Sequence, residues 1–202
     1  NGAQAYPSKT KDFCDVDFST GSVGLGGAMT IFSSFTQDFL EENNLLENGP
    51  NKMVSIFGDA ELDEGNVYEA LLEGAKHNLK NCWWIIDYNR QSLDGIVFEK
   101  LFEKIINLFA LMDWNVEILK YGSKLEKLSK TKSGKKIMKW IDDCPNDLFS
   151  ALTYQGGKDW RVTLLKAFDD DHDTINLIQS FNDEELNDLM TNLAGHDMET
   201  LE

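Results

Sequence analysis

The sequence predicts an α/β fold in which a parallel sheet is threaded by crossover helices. Three observations predict it. Two short apolar runs rich in strand formers, Met53–Phe57 and Cys82–Ile86, are each stopped by a polar turn, Gly58-Asp59 in one case and Asp87-Tyr88-Asn89-Arg90-Gln91 in the other. Between them, Gly65–His77 carries Val67, Ala70, Leu71 and Gly74 at helical spacing. A third apolar run, Trp114–Leu119, follows another helical stretch, and strand–helix–strand alternation of this length is what parallel pairing requires.

The elements follow in order. Asn1–Ser19 reads as an irregular lead-in around Pro7. Thr20–Gly27 is a glycine-rich turn, and it opens a helix over Ala28–Glu42 in which Met29, Phe32, Phe35, Phe39 and Leu40 recur at helical spacing. Asn43, Asn44, Asn48, Gly49 and Pro50 stop that helix. After the second strand, Phe98–Met112 is a helix with Leu101, Phe102, Ile105, Leu108 and Phe109 as its stripe. Trp114–Leu119 is the next strand, and Trp83 and Trp84 are both read as core. Beyond residue 123 the chain is helical and more polar: lysine-rich over Lys124–Ile141, then acidic. The organisation expected is a single partial domain over residues 1–202, with an α/β core over 1–123 and a mostly helical part over 124–202.

Bulk properties exclude several function classes. With 202 residues, 42% of them hydrophobic, the chain has the material for one full-sized core. A net charge of −16 argues against nucleic acid and anionic membranes as partners, because both require a basic face. No apolar run reaches the length of a membrane span, and no signal peptide is read at the start. Cys14, Cys82 and Cys144 lack CxxC spacing, so a zinc site or disulfide scaffold is not expected and the compartment reads as cytoplasmic. His77, His172 and His196 lie near no serine or cysteine motif and read as surface or packing residues.

The chemistry sits where the strands end. Ligands of open parallel sheets bind beyond the carboxyl ends of the strands. The crossover places the ends of both runs on one edge, so Asp59, Asn89 and Gln91 are expected to meet there. A carboxylate with two amide-type oxygens is a hard-donor set suited to Mg²⁺ or Ca²⁺. Mg²⁺ takes few protein ligands and completes its shell with water and phosphate, so a lone carboxylate points to a phosphorylated ligand. Gly58 lets the chain turn off the strand, and Gly65 opens a helix whose N-terminus favours anions. Asp and Asn are also ordinary turn residues, so composition alone leaves both readings standing.

Three rival motifs fail. No Gly-Lys-Ser/Thr opens a helix, so there is no P-loop. Counted from Asp59, the sixth and twelfth positions of an EF-hand loop are Glu64 and Ala70, where Gly and Glu are needed. Counted from Gly24, the last glycine of a dinucleotide fingerprint falls on Met29.

Gly58-Asp59-Ala60-Glu61-Leu62-Asp63-Glu64-Gly65, with Asn89 about thirty residues after Asp59, resembles the Gly-Asp-Gly…Asn motif of thiamine-diphosphate enzymes. Thr20-Gly21-Ser22-Val23-Gly24-Leu25-Gly26 resembles the glycine-rich segment of the transketolase-like family. Asn89-Arg90-Gln91-Ser92-Leu93-Asp94-Gly95 is closer to the dehydrogenase component of homodimeric pyruvate dehydrogenase than to transketolase. Asn1–Pro7, Trp114-Asn115-Val116 with Tyr121-Gly122-Ser123, and Gly195-His196-Asp197 resemble the same family in the same order.

The resemblance implies a thiamine-diphosphate-binding (transketolase N-terminal-like) fold, here incomplete. It implies roles residue by residue: Asp59, Asn89 and Gln91 hold Mg²⁺, Gln91 through its side chain or its backbone carbonyl. Gly58, Ala60 and Glu61 lie around the diphosphate, and Ser22 and Val23 contact the aminopyrimidine. Glu64 matches an acidic residue in a channel between the two active sites of a dimer and stands as the catalytic candidate. The implied reaction is decarboxylation of a 2-keto acid on the cofactor's thiazolium ring. The implied partners are the keto acid, a second copy or a pyrimidine-domain partner, and other components of a multienzyme complex. A transketolase-like transferase and a non-catalytic interaction module are the alternatives.

Two departures from the family pattern stand out. Ala60 occupies the third motif position in place of Gly, which costs about 1 kcal/mol if the backbone there needs φ > 0 and nothing if only a small side chain is needed. The second reading is favoured. Family members are also several times longer, so a fragment without turnover of its own is expected.

Overall fold

The computed structural model describes residues 8–9, 16–46, 51–89, 91–92, 95–96 and 101–202. They fall into two compact units, Asn1–Val116 and Glu117–Glu202, so the contacts divide a few residues before the expected position at 123.

In the first unit the order is helix α1 (Leu25–Glu42), strand β1 (Met53–Gly58), helix α2 (Gly65–Lys76), strand β2 (Cys82–Asp87), the short strands β3 (Gln91–Ser92) and β4 (Gly95–Ile96), and helix α3 (Leu101–Leu111). A 3-10 turn, Asp59–Asp63, joins β1 to α2. β1 and β2 pair in parallel from Met53↔Cys82 to Gly58↔Asp87, with α2 as the crossover. β3 and β4 form a small antiparallel pair, Gln91↔Ile96 and Ser92↔Gly95.

Period-two alternation decides what each strand residue touches. Phe57 is buried, and it packs with Leu62, Val67, Leu71 and Phe109 and with the half-buried Trp84, Ile86, Ile105 and Trp114. Ile31, Ala70 and Cys82 form an adjoining cluster on which Phe35 and Trp84 also pack. The opposite side of the ladder is bare. Val54, Ile56, Trp83 and Ile85 are 47, 74, 54 and 49% exposed. Trp83 is therefore no core residue. Its ring lies on the open side, with the Lys52 ammonium 5.0 Å from its centroid.

The strand expected over Trp114–Leu119 does not form. Asp113 ends α3 at φ 60, and Trp114 turns inward to pack tilted against Trp84 and edge-on against Phe109 at centroid distances of 5.1 and 5.7 Å. Ile118 and Leu119 are exposed, and among the described residues Tyr121 alone in this stretch makes a β-bridge, to Leu193. Apolar alternation makes a strand only where a ladder partner exists, and Trp114 is spent on the core.

The second unit is helical: α4 (Ser123–Ser129), α5 (Lys132–Asp143), α6 (Asn146–Gln155), α7 (Gly157–Ala167), α8 (His172–Ser180), α9 (Asp183–Met190) and α10 (Met198–Leu201). They enclose Leu125, Ile137, Ile141, Leu152, Trp160, Leu164, Ile178, Leu186, Leu189 and Met190. The lysine-rich stretch Lys124–Ile141 is carried by two helices, α4 and α5. Thr131 caps α5 by accepting from Gly134 N at 2.9 Å, and a side chain at Gly134 would fall 1.9 Å from the Leu128 carbonyl oxygen. Several lysines of this stretch pair within the unit: Lys124 with Asp188, Lys136 with Asp171, and Lys127 with Glu199 at 3.1 Å. No described helix is long and apolar enough to cross a membrane.

Candidate functional site

The parallel register builds the site. Gly58 lies opposite Asp87 on the last rung, so Asp59 and Asn89 issue from the same edge of the sheet. β3, which carries Gln91, lies against the 3-10 turn that carries Asp59, with Cα atoms of the two within 8 Å. The topology thus brings the three expected metal ligands to one end of the ladder. Asp59 is 3% exposed. A buried carboxylate needs compensating donors or a cation.

The positions around Asp59 have room for a ligand. Gly58 has φ −75 and ψ 155, a conformation open to any residue, so its glycine is not demanded by the backbone. A Cβ placed there, or at Gly65, would meet nothing within 4 Å. The missing side chain at Gly58 leaves space beside a hard oxygen donor, and Gly65 is the first residue of the twelve-residue α2, whose amide end favours anions. Ala60 lies inside the 3-10 turn and is not among the described residues with positive φ. Its methyl therefore costs no left-handed strain, as the small-side-chain reading expects. These features fit a Mg²⁺–diphosphate group.

The glycine-rich segment is placed differently. Val23 N donates to Gly21 O at 2.9 Å, closing a tight turn with Ser22 and Val23 exposed at its tip. Gly24, at φ 74, caps α1. A Cβ on Gly24 would sit 2.7 Å from Val67 Cγ2 and 2.9 Å from Glu64 Cβ, so glycine is required twice over, by conformation and by space. Gly26 and Gly27 fall in the first turn of α1, where Cβ atoms would approach Ser55 Oγ and the Trp84 ring at 3.1 and 3.2 Å. They serve close packing of helix on sheet.

Two side chains that the sequence did not single out for this tie the turn to the strand end and to α2. The Glu61 carboxylate accepts from Gly24 N at 2.9 Å and from Gly58 N at 3.2 Å. Asn66 Nδ2 donates to Val23 O at 3.0 Å. Neither is legible locally, since Glu61 and Gly24 are 37 positions apart and Asn66 and Val23 are 43. Glu64 is exposed at the start of α2 with its Cβ against Gly24, and its backbone carbonyl accepts from Val67 N at 3.1 Å.

Further along, two motif segments meet. Gly122 N donates to Asn192 O at 2.9 Å, and Asp197 accepts from Ser123 N, from Asn192 Nδ2 and from Glu199 N. The Ser123 hydrogen bonds, before the Asn192 and Glu199 ones, pull the Asp197 carboxyl down to about 2. Cys82 is buried, and burial pushes its thiol up, away from nucleophilic use.

Residues 6–139 match the family described as transketolase, thiamine diphosphate binding domain. The chain belongs to that family. Curated relatives named pyruvate dehydrogenase E1 component agree with the motif-based resemblance. One from Escherichia coli (strain K12) is 25% identical over 199 residues, 98% of this chain and 22% of that protein. One from Cupriavidus necator is 28% identical over 160 residues, 77% of this chain and 18% of that protein. One from Haemophilus influenzae is 34% identical over 121 residues, 58% of this chain and 14% of that protein. The chain spans about a fifth of the length of the first relatives it matches.

Proposed function

We propose that this member of the thiamine-diphosphate-binding family is the Mg²⁺- and cofactor-binding part of a pyruvate dehydrogenase, and that the chain alone does not turn over. The observation that carries the reading is the Gly58↔Asp87 register, which sends Asp59 and Asn89 off one edge of the sheet, with the Gln91 strand against the same turn. Asp59, Asn89 and the Gln91 carbonyl would hold Mg²⁺, which would supply positive charge to offset the diphosphate. Gly58 leaves the diphosphate room, Ala60 keeps the approach small, and the amide end of α2 favours its charge. Ser22 and Val23, at the tip of their turn, would face the aminopyrimidine. Bound thiamine diphosphate would supply the carbanion and electron sink for decarboxylation of a 2-keto acid. Glu64, exposed at the start of α2, would be the acidic catalytic candidate facing a channel to a second subunit. The partners proposed are the keto acid, a homodimer or pyrimidine-domain partner and a multienzyme complex, in the cytoplasm.

Isothermal titration of thiamine diphosphate with Mg²⁺, repeated on Asp59→Ala, tests the reading. Heat that requires both Mg²⁺ and Asp59 is expected. Binding indifferent to either overturns it.

A further inference from the structure

Glu61 falls within the stretch that resembles the diphosphate-binding motif, yet its carboxylate is directed elsewhere. Oε2 accepts from Gly24 N at 2.9 Å and Oε1 from Gly58 N at 3.2 Å. Both oxygens are engaged with backbone amides. One amide belongs to the turn carrying Ser22 and Val23, and the other to the residue before Asp59. An anion beside a diphosphate would repel it, so a ligand role is disfavoured for a second reason.

The contact is well placed to set a distance. Gly24 cannot shift freely, because its α-carbon is seated against Val67, Glu64 and Asn66, and Asn66 holds the Val23 carbonyl at 3.0 Å. The Glu61 carboxylate then links this seated turn to the last residue of β1. Removing it leaves two amide donors facing each other across the gap and takes away the carboxylate tie between Gly24 and Gly58, with the Asn66 contact still in place.

We propose that Glu61 is a positioning residue that holds the Ser22–Val23 turn at a fixed distance from Asp59 and touches neither Mg²⁺ nor diphosphate. This rests on the cofactor-binding reading above and divides the site into two halves coupled through one carboxylate. Charge-assisted hydrogen bonds to backbone amides are among the stronger ones, and pre-set geometry is what such a bond contributes to a site.

The test uses the full chain. Amide hydrogen exchange at Gly24, resolved by NMR without ligand, is compared in the parent, Glu61→Ala and Asp59→Asn. About a tenfold or greater rise in Gly24 exchange is expected in Glu61→Ala and none in Asp59→Asn. Thiamine diphosphate affinity should fall in Glu61→Ala, while the Mg²⁺ concentration giving half-maximal binding stays at the parent value. If Glu61→Ala does not fold, Glu61→Gln replaces it, since its amide keeps the size but can accept from only one of the two N–H groups. Unchanged Gly24 exchange overturns the proposal, and so does a shifted Mg²⁺ midpoint, which would put Glu61 on the metal. A parent chain that gives no heat with cofactor overturns the cofactor reading, while the exchange result still decides whether Glu61 holds the turn.

Discussion

Gly58 and Asp87 face each other on the last rung of the β1–β2 ladder, and the positions of Asp59 and Asn89 follow from that pairing. Two residues about thirty positions apart share a site because a parallel pair joined by a helix has both strand ends on one edge. Asp59→Asn and Asn89→Ala should therefore each weaken Mg²⁺-dependent thiamine diphosphate binding, by tenfold or more. The double variant should lose less than the product of the two, because both act on one ion. Titration calorimetry of all four proteins gives the cycle, and strict additivity would place the two side chains on separate tasks.

Gly24 and Gly58 are both motif glycines, and alanine should act on them in opposite ways. At Gly24 the left-handed φ of 74 and the 2.7 Å approach to Val67 Cγ2 combine. Strain of about 1–2 kcal/mol and overpacking of a further 1–3 kcal/mol are expected, so Gly24→Ala should lower the urea midpoint sharply. Gly58 is extended with open space about its α-carbon, so Gly58→Ala should leave the unfolding free energy within about 0.5 kcal/mol of the parent and weaken cofactor binding. The reverse pattern would mean that Gly58 is a folding glycine.

Ala60 is the motif's departure, and restoring glycine should gain nothing. The backbone there is in a 3-10 turn without positive φ. Ala60→Gly should destabilise the chain by about 0.5–1 kcal/mol, through the greater freedom of the unfolded state. A tighter cofactor affinity in Ala60→Gly would show that the methyl crowds the diphosphate.

What could be read from the sequence was what neighbouring residues decide. The apolar runs at Met53 and Cys82 and the stripe Val67, Ala70, Leu71 and Gly74 fix β1, β2 and α2 almost to the residue, because strand and helix periods are local. Convergence of the Asp59 and Asn89 segments was legible for the same reason, being a consequence of strand order. Glu61–Gly24 and Asn66–Val23 were not, since nothing local marks which amide a carboxylate or carboxamide will find across the fold. Trp83 was misread because one bare side of a parallel ladder runs against the usual double cover. The stretch from Trp114 was misread because its aromatic ring finds Trp84 before its backbone finds a strand. The break at Lys130–Thr131 hung on Gly134, whose missing side chain lets α5 begin against the end of α4.

Asp197 makes the stability of the helical unit depend on acid. It closes the start of α4 by accepting from Ser123 N, and it holds Asn192 and the first turn of α10 through Glu199 N. These bonds favour the ionised form, first among them those from Ser123, and lower its pKa from the usual 3.8 to about 2. A carboxyl whose pKa is lower folded than unfolded stabilises the native state above its unfolded value, and the contribution is lost as pH falls through the folded one. Asp171, brought down to about 2 chiefly by Lys136 and then by Thr174, acts in the same direction over the same window. The melting temperature followed by far-ultraviolet circular dichroism should therefore hold steady from neutral pH to about pH 5 and fall between pH 4 and pH 2. Asp197→Asn should melt lower than the parent at pH 7, since the amide keeps one acceptor and loses the charge. The two proteins should converge near pH 2, where the parent's carboxyl is itself being protonated. Parallel pH curves that never converge would mean that Asp197 acts through packing and not through its charge.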